Sequence, residues 1–164
     1  MKDYKSKEDK IFDIINRLKQ VELEEGNGEE WTKYLYTHGS CYNLASLIKS
    51  QFLQDDSVKV MHMFLNKEYV EHMAVVVTDC KDEDEFSKSN SSFYDINGKT
   101  PISQAPQYLY SFENKIPKET DPEMELTFVP FVPYYKESLR TTKVYEQLQN
   151  ENLSTTEDIQ DLTE

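Results

Sequence analysis

Residues 58–78, VKVMHMFLNKEYVEHMAVVVT, decide the fold class because they carry two strand-like runs in succession. The first run, Val58–Leu65, is rich in β-branched and large apolar residues, and the second, residues 69–78, is more apolar still. Such runs are typical of strands, and Asn66 and Lys67 between them fit a tight hairpin turn. Side chains alternate along a strand, so every second residue of the later run is expected on one face. These residues are Val70, His72, Ala74 and Val76.

Helical patterns precede these strands. Apolar residues recur at the 3.6-residue period over residues 6–23, and Ser6 stands where an N-cap is expected. A short second helix is predicted over residues 29–36. A third helix is predicted to follow Ser40, a good N-cap residue, and to end near Gln54.

The pattern downstream is less regular. Residues 79–92 are charged and rich in serine, which predicts a loop, and residues 92–96 read as a third strand that ends at the turn dipeptide Asn97-Gly98. A short helix is predicted from Thr100 and Pro101 through Leu109. Residues 126–132 are predicted as a fourth strand and residues 138–149 as a last helix. The prolines Pro130 and Pro133 place that fourth strand at a sheet edge.

The chain has 164 residues, which fits one domain with one hydrophobic core. The predicted architecture is α+β, with helices at the N-terminus followed by about four strands. We expect a single domain over residues 1–150. Residues 151–164 are predicted to form a disordered acidic tail.

The formal net charge is −13, and the acids are clustered. Residues 22–30, 79–85 and 151–164 each hold five acidic side chains. Such runs are typical of solvated loops and tails. The resulting field would repel nucleic acid and anionic membranes, so we expect neither as a direct partner. It would favour a basic protein.

No N-terminal stretch resembles a signal peptide, and no run approaches the ~18 apolar residues that span a bilayer. A cytoplasmic location is therefore expected. The chain has only two cysteines, Cys41 and Cys80, so a disulfide scaffold is not predicted. The cysteines and the three histidines do not cluster at zinc spacing, and no metal or other cofactor is expected.

Residues 37–45, THGSCYNLA, place Cys41 in the first turn of the predicted third helix. The partial positive charge of a helix N-terminus favours a thiolate, and the free backbone N–H groups there can bind an oxyanion. The alternative is that Cys41 is a small buried hydrophobe, as free cysteines usually are.

Two further residues, His72 and Asp95, carry side chains that could assist a cysteine nucleophile. His72 lies near the start of an apolar strand, and Asp95 lies near the end of the next strand beside aromatic residues. The alternative for His72 is a core histidine with its hydrogen bonds satisfied. The alternative for Asp95 is an Asx-turn with Gly98. A cysteine nucleophile needs a base, and the base needs an orienting group. If the two strands pair antiparallel, the imidazole and the carboxylate can meet side by side.

The order of these motifs resembles the papain-like cysteine hydrolase superfamily. The motifs are Gly39-Ser40-Cys41 at a helix start, His72-Met73-Ala74 on a strand and Tyr94-Asp95-Ile96-Asn97-Gly98 on another. The chain looks closest to the transglutaminase-like and peptidoglycan-hydrolase-like branches. The resemblance covers residues 37–98, and it implies that the cysteine helix packs against an antiparallel sheet.

The resemblance also implies a catalytic triad of Cys41 as nucleophile, His72 as general base and Asp95 as orienting group. Asn97 is the reserve orienting group, and His38 and Tyr42 are accessory candidates. Papain has a glutamine upstream of its cysteine as an oxyanion donor, and none stands between residues 31 and 41. Tyr36, Thr37, His38 or the Cys41 backbone would have to replace it.

Three hypotheses for function follow. The first is a cysteine hydrolase or acyl transferase that acts on an amide as a peptidase, amidase, deamidase or transglutaminase. The second is a non-catalytic acidic inhibitor on the same fold, such as a phage-encoded decoy of a nucleic-acid-binding host protein. The third is an acidic structural domain without a site.

Overall fold

The computed structural model describes residues 4–65, 70–112, 124–131 and 133–163, with side chains as far as residue 153. Within these residues, helices and strands are mixed along the chain, which confirms the predicted α+β class. The elements are α1 (Lys7–Glu24), α2 (Glu29–Leu35), α3 (Cys41–Ser50), β1 (Val58–Leu65), β2 (Val70–Val77), α4 (Glu83–Ser87), β3 (Ser92–Asp95), β4 (Gly98–Pro101), α5 (Ala105–Ser111), β5 (Met124–Val129) and α6 (Leu139–Thr163). The hairpin turn predicted at Asn66 and Lys67 lies outside the described residues.

The strands form one antiparallel sheet in the order β4-β3-β2-β1-β5. Val58 lies opposite Val77 and Leu65 opposite Val70, so β1 and β2 pair along their whole length. β5 lies at one edge of the sheet, as predicted from Pro130, which directly follows this strand. The sheet has five strands in the described residues, one more than predicted.

Helices cover both faces of the sheet. One face packs against α1, α3 and α6, and the other against α4 and α5. The first layer includes Ile14, Ile48, Val60, Val75 and Val144. The second includes Met61, Ala74, Val76, Phe86 and Leu109. Because β2 is buried on both faces, residues 74–77 are a continuous apolar run and do not alternate with polar residues. Each fully buried Val, Leu, Ile, Phe or Met side chain stabilises the fold by about 1.5–3 kcal/mol relative to an exposed one.

The two predicted N-caps have different outcomes. The backbone N–H of Asp9 donates to the Ser6 hydroxyl at 3.1 Å, so the cap of α1 is confirmed. Ser40 precedes α3 as predicted, but its side chain makes no capping hydrogen bond. Its φ of −109° and ψ of 14° depart from the extended conformation that aims an N-cap side chain at the helix. The side-chain cap predicted at Ser40 is therefore wrong.

The other differences lie in short elements. β4 occupies residues for which the sequence indicates a turn and the start of a helix. Asp95 of β3 pairs with Gly98 of β4, so the chain turns within the two residues between them. Gly98 has a φ of 91°, a conformation that glycine adopts readily. The chain therefore returns as β4 beside β3. The loop predicted over residues 79–92 contains α4, which is held by the buried Phe86. α3 ends at Ser50, four residues before the predicted end.

α6 begins one residue after the predicted start and continues to Thr163. The backbone of residues 151–163, for which the sequence predicts an acidic tail, is therefore helical. Arg17 of α1 bonds Glu151 at 2.9 Å and attaches the start of this segment to the domain. No helix in the described parts of the chain is long and apolar enough to cross a bilayer.

Candidate active site

Strand pairing brings His72 and Asp95 together. Val75 of β2 lies opposite Tyr94 of β3, and one further step in this register places Ala74 opposite Asp95. Because His72 is two residues from Ala74, it shares the face of Asp95 and is its diagonal neighbour. Nε2 of His72 lies 2.8 Å from Oδ2 of Asp95. The contact expected from an antiparallel pairing of these strands is therefore present.

The Asp95 carboxyl group is 2% exposed and receives three donors. The backbone N–H of Asn97 donates to Oδ1 at 2.9 Å, which is an Asx-turn. The Tyr108 hydroxyl on α5 donates to Oδ2, which also faces Nε2 of His72. The side-chain amide of Asn97 in turn donates to the Tyr108 oxygen at 2.8 Å. The carboxyl group is thus held in one orientation from both sides.

His72 is fully buried but has one nitrogen unused. Nε2 faces Asp95, while Nδ1 has no hydrogen-bond partner among the residues that the structure describes. The ring packs edge-on against Phe112, with ring centroids 5.1 Å apart. A buried polar atom without a partner is rare and costs stability, which makes this nitrogen a candidate for a chemical role.

The pKa of His72 reflects its two neighbours. Burial alone would lower this pKa, but the hydrogen bond with Asp95 and the negative charges of the Asp95 and Cys41 side chains outweigh it and raise the value to about 9. Since Nε2 is occupied by Asp95, Nδ1 is the nitrogen available to the Cys41 thiol.

Cys41 is the first residue of α3 and is partly exposed. Its Sγ accepts a hydrogen bond at 3.5 Å from the backbone N–H of Met73, the residue after His72. β3 pairs with β2 only around residues 75 and 76, so the β2 edge near Met73 is open to the helix start. The thiol lines a pocket of about 70 Å³, which offers room for two or three water molecules. The lining residues are Cys41, Tyr42, His62, Glu71, His72 and Met73.

The start of α3 leaves backbone donors free beside the thiol. The first helical bonds run from the N–H groups of Asn43 and Leu44 to the Ser40 carbonyl. The N–H groups of Cys41 and Tyr42 have no partner in the described part of the chain. The missing Ser40 side-chain cap keeps this site open. These donors can receive an oxyanion.

The side chains considered as oxyanion donors are engaged elsewhere. The Tyr36 hydroxyl donates to Glu22 at 3.0 Å, and the Thr37 hydroxyl donates to the Lys33 carbonyl at 2.8 Å. His38 contacts the Phe112 carbonyl through Nε2 at 3.0 Å and does not line the Cys41 pocket. The two backbone donors at the helix start therefore remain as the candidates.

The remaining accessory candidates lie at the site. Tyr42 lines the pocket and packs edge-on against Tyr134, with ring centroids 5.0 Å apart. Asn97 contacts Asp95 and Tyr108, so it supports the orienting group and does not itself contact His72.

Two residues of the site were missed in the sequence. Tyr108 and Phe112 come from α5 and its C-cap, and both rings pack on His72. The sequence predicts a short helix from Thr100 and Pro101 through Leu109. No local pattern indicates that this helix crosses the sheet at His72.

No protein-family model, curated protein or solved structure matches the chain. Its function therefore has to be argued from the geometry of this site.

A larger open cleft of about 670 Å³ lies elsewhere, at the opposite end of α3. It is lined by Lys10, Phe52 and mostly polar residues of the α3–β1 loop and α6. In the described ranges, no group of three or more His, Cys, Asp or Glu side chains could hold a metal ion. The thiol pocket is the place where reactive side chains converge.

Proposed function

We propose that the protein is a cysteine hydrolase or acyl transferase that acts on an amide bond. Cys41 is the nucleophile, His72 the general base and Asp95 the group that orients His72. Peptidase, amidase, deamidase and transglutaminase activities share this chemistry, and the proposal includes all four.

One observation carries the proposal. The imidazole of His72 is bound to Asp95 through Nε2 at 2.8 Å, and its second nitrogen is buried without a partner next to a thiol. A structural histidine would be expected to satisfy both nitrogens. A general base needs one nitrogen free to take the proton of its nucleophile, while the other fixes the ring.

In the first step, the Sγ–H proton of Cys41 moves to Nδ1 of His72. The sulfur then forms a bond to the substrate carbonyl carbon, and the π electrons of the carbonyl move to its oxygen. The N–H groups of Cys41 and Tyr42 stabilise this oxyanion. The Asp95 carboxylate stabilises the imidazolium that forms.

In the second step, the carbonyl reforms and the C–N bond breaks. The imidazolium proton of His72 moves to the departing amine, and a thioester remains on Cys41. Water or an amine then attacks the thioester, His72 takes its proton, and the thiol is restored. Hydrolysis releases an acid, and transfer to an amine releases a new amide.

The chemistry requires a reduced thiol. Both cysteines are free in the structure, and a reducing compartment such as the cytoplasm would keep Cys41 in this state. We therefore place the activity in the cytoplasm.

The test measures the rate of iodoacetamide labelling of Cys41 against pH in a Cys80→Ser background. We expect labelling at neutral pH to be much faster than that of an ordinary thiol, and we expect His72→Ala to slow it towards the ordinary rate. p-Nitrophenyl acetate serves as a second probe, because acylation of Cys41 releases one equivalent of p-nitrophenol in a burst. An ordinary labelling rate that His72→Ala leaves unchanged, together with no burst, would rule out the catalytic proposal.

The net charge of −13 supports a second candidate, an inhibitor that binds a basic protein through its acidic surface. Such binding would survive Cys41→Ala and would weaken steeply as salt is added. Loss of function in Cys41→Ala would instead favour the enzyme.

A further inference from the structure

Four rings form a contiguous aromatic ladder that leads from the surface to the site: Trp31, Tyr34, His38 and Phe112. Trp31 stacks on Tyr34 at 5.8 Å and 22°, and Tyr34 stacks on His38 at 4.1 Å and 12°. His38 contacts Phe112 at 5.6 Å, and Phe112 contacts His72 at 5.1 Å. The ladder therefore ends on the base of the proposed reaction.

The outer end of the ladder is open to solvent. Trp31 is 52% exposed and Tyr34 is 54% exposed, although aromatic rings of this size are usually more buried. Both rings lie on α2, three residues apart and thus on one helix face. Their near-parallel stacking, together with the bond from His38 to the Phe112 carbonyl, holds the rings in place.

The surroundings of the ladder are acidic. α2 begins with Glu29 and Glu30, and the lysine on this helix, Lys33, is paired with Glu29 at 3.2 Å. Glu71, which is exposed and lies 3.1 Å from Nε2 of His62, adds a carboxylate at the Cys41 pocket. Carboxylates beside exposed aromatic faces favour a cation over a neutral or anionic group.

We propose that the aromatic ladder binds an arginine or lysine side chain of a polypeptide substrate at its solvent-exposed end. The substrate class is thus a basic polypeptide, and this assignment rests on the proposed function. The cation stacks over the exposed ring of Trp31, which in turn stacks on Tyr34. Arginine is preferred because its planar guanidinium stacks on aromatic rings and is weakly hydrated.

The negative charge argues against an anionic membrane as the occupant. A second copy of this chain would bring two acidic surfaces together. A basic peptide is the occupant that complements both the rings and the charge.

The direct test uses the fluorescence of Trp31, the single tryptophan of the chain. The Cys41→Ala protein is titrated with acetyl-Gly-Arg-Gly-amide and with the same peptide carrying citrulline, which has the shape of arginine without its charge. We expect saturable quenching by the arginine peptide and at least about threefold weaker binding of the citrulline peptide.

Variants of Tyr34 test whether the ladder is the binding site. Tyr34→Ala and Tyr34→Leu should each weaken arginine binding about threefold to tenfold, and Leu keeps an apolar side chain without an aromatic face. Leu53→Ala is the matched control, because Leu53 is 56% exposed and borders the cleft at the other end of α3. This variant should bind arginine like the parent protein.

Equal affinity for the arginine and citrulline peptides, or arginine binding that both Tyr34 variants leave unchanged, would overturn the proposal. Sedimentation that shows self-association lost in Tyr34→Ala would overturn it in favour of a second copy. Binding to phosphatidylserine vesicles that Tyr34→Ala abolishes would overturn it in favour of a membrane. Because binding is measured on Cys41→Ala, it does not depend on the chemistry. Arginine binding with an unreactive Cys41 in the parent would therefore contradict only the proposed function.

Discussion

Two carboxylates, Glu22 and Asp95, are buried on opposite sides of the sheet and are neutralised in different ways. Glu22 of α1 lies 3.0 Å from Nε of Arg140 on α6. It also accepts hydrogen bonds from the Tyr36 hydroxyl at 3.0 Å and from the Asn27 amide at 2.7 Å. We call these four residues the Glu22 cluster. It joins α1, the C-cap of α2 and α6 around the guanidinium group of Arg140.

We call Asp95, His72, Asn97 and Tyr108 the Asp95 cluster. Its carboxyl group has three donors, and its cationic partner is a histidine that can lose its proton. Glu22 has two donors, because Nε of Arg140 lies at ion-pair distance without making a hydrogen bond. That histidine keeps one buried nitrogen unpaired beside a thiol.

The comparison separates a structural carboxylate from a candidate functional one. Both are buried and hydrogen-bonded, so burial and hydrogen bonding alone do not mark a site. An unpaired buried nitrogen does not separate them either, because Nε of Arg140 and Nδ1 of His72 both lack a hydrogen bond among the described residues. The distinguishing features are a titratable partner and an adjacent nucleophile. Four predictions test this distinction, beginning with the largest effect.

Asp95→Asn should lower the rate of p-nitrophenyl acetate acylation by about 10²–10³-fold, because an amide cannot stabilise the imidazolium of His72. The rate is measured by stopped-flow absorbance in a Cys80→Ser background. Glu22→Gln is the matched control, since it makes the same carboxylate-to-amide change in the other cluster. Its acylation rate should equal that of the parent. Equal losses in both variants would contradict the distinction.

Arg140→Met should lower the free energy of unfolding by about 2 kcal/mol, because it leaves the Glu22 carboxylate buried without its cation. The effect is below that of a fully buried pair since the Arg140 side chain is 39% exposed. Urea denaturation measures it. The double variant Glu22→Gln/Arg140→Met should recover part of the loss, and labelling of Cys41 should be unaffected throughout. A slower labelling rate in the folded single variant would show that the two clusters are coupled.

The Asp95 cluster should make stability depend on pH in a defined direction. The pKa of His72 is raised to about 9 in the folded state, against about 6.5 in an unfolded chain. The folded state therefore binds more protons between these values. The stabilisation is complete below about pH 6.5 and is lost as pH rises through about 9. The difference in unfolding free energy between the parent and His72→Gln should shrink over this window. A difference that grows as pH rises would contradict the assignment.

Tyr108→Phe should have the smallest effect, a fall of about fivefold in the acylation rate. It removes one neutral donor from Asp95 and leaves the contacts with Asn97 and His72. Tyr36→Phe removes the corresponding donor from the Glu22 cluster and should leave the acylation rate unchanged. A loss in Tyr108→Phe as large as that of Asp95→Asn would show that the hydroxyl does more than orient the carboxylate.

Much of the fold could be predicted because its main elements have strong local periodicity. β1 matches its predicted bounds, and β2 ends one residue before its predicted end, while its predicted first residue lies outside the described residues. α1 begins at its predicted cap. Short elements were less predictable, since α4 is held by the single buried residue Phe86 and β4 by pairing with β3. Neither kind of contact leaves a repeating pattern in the sequence.

The candidate site, like the fold, could be predicted only where it depends on local sequence patterns. Alternation along β2 and β3 places His72 and Asp95 on matching faces, and the start of α3 exposes Cys41. The roles of Tyr108 and Phe112 could not be predicted, because they depend on where α5 crosses the sheet. The expected Ser40 side-chain cap was wrong because the residue departs from the extended cap conformation.

By itself, the sequence determined the helices and strands of strong period, the acidic charge and the candidate residues Cys41, His72 and Asp95. These features depend on neighbours within a few residues, so local propensity and alternation are sufficient to predict them. Only the tertiary structure decided which nitrogen of His72 is occupied, which donors hold Asp95 and which rings connect the site to the surface. Those contacts join residues far apart in the chain, and their geometry depends on sheet register and helix packing together.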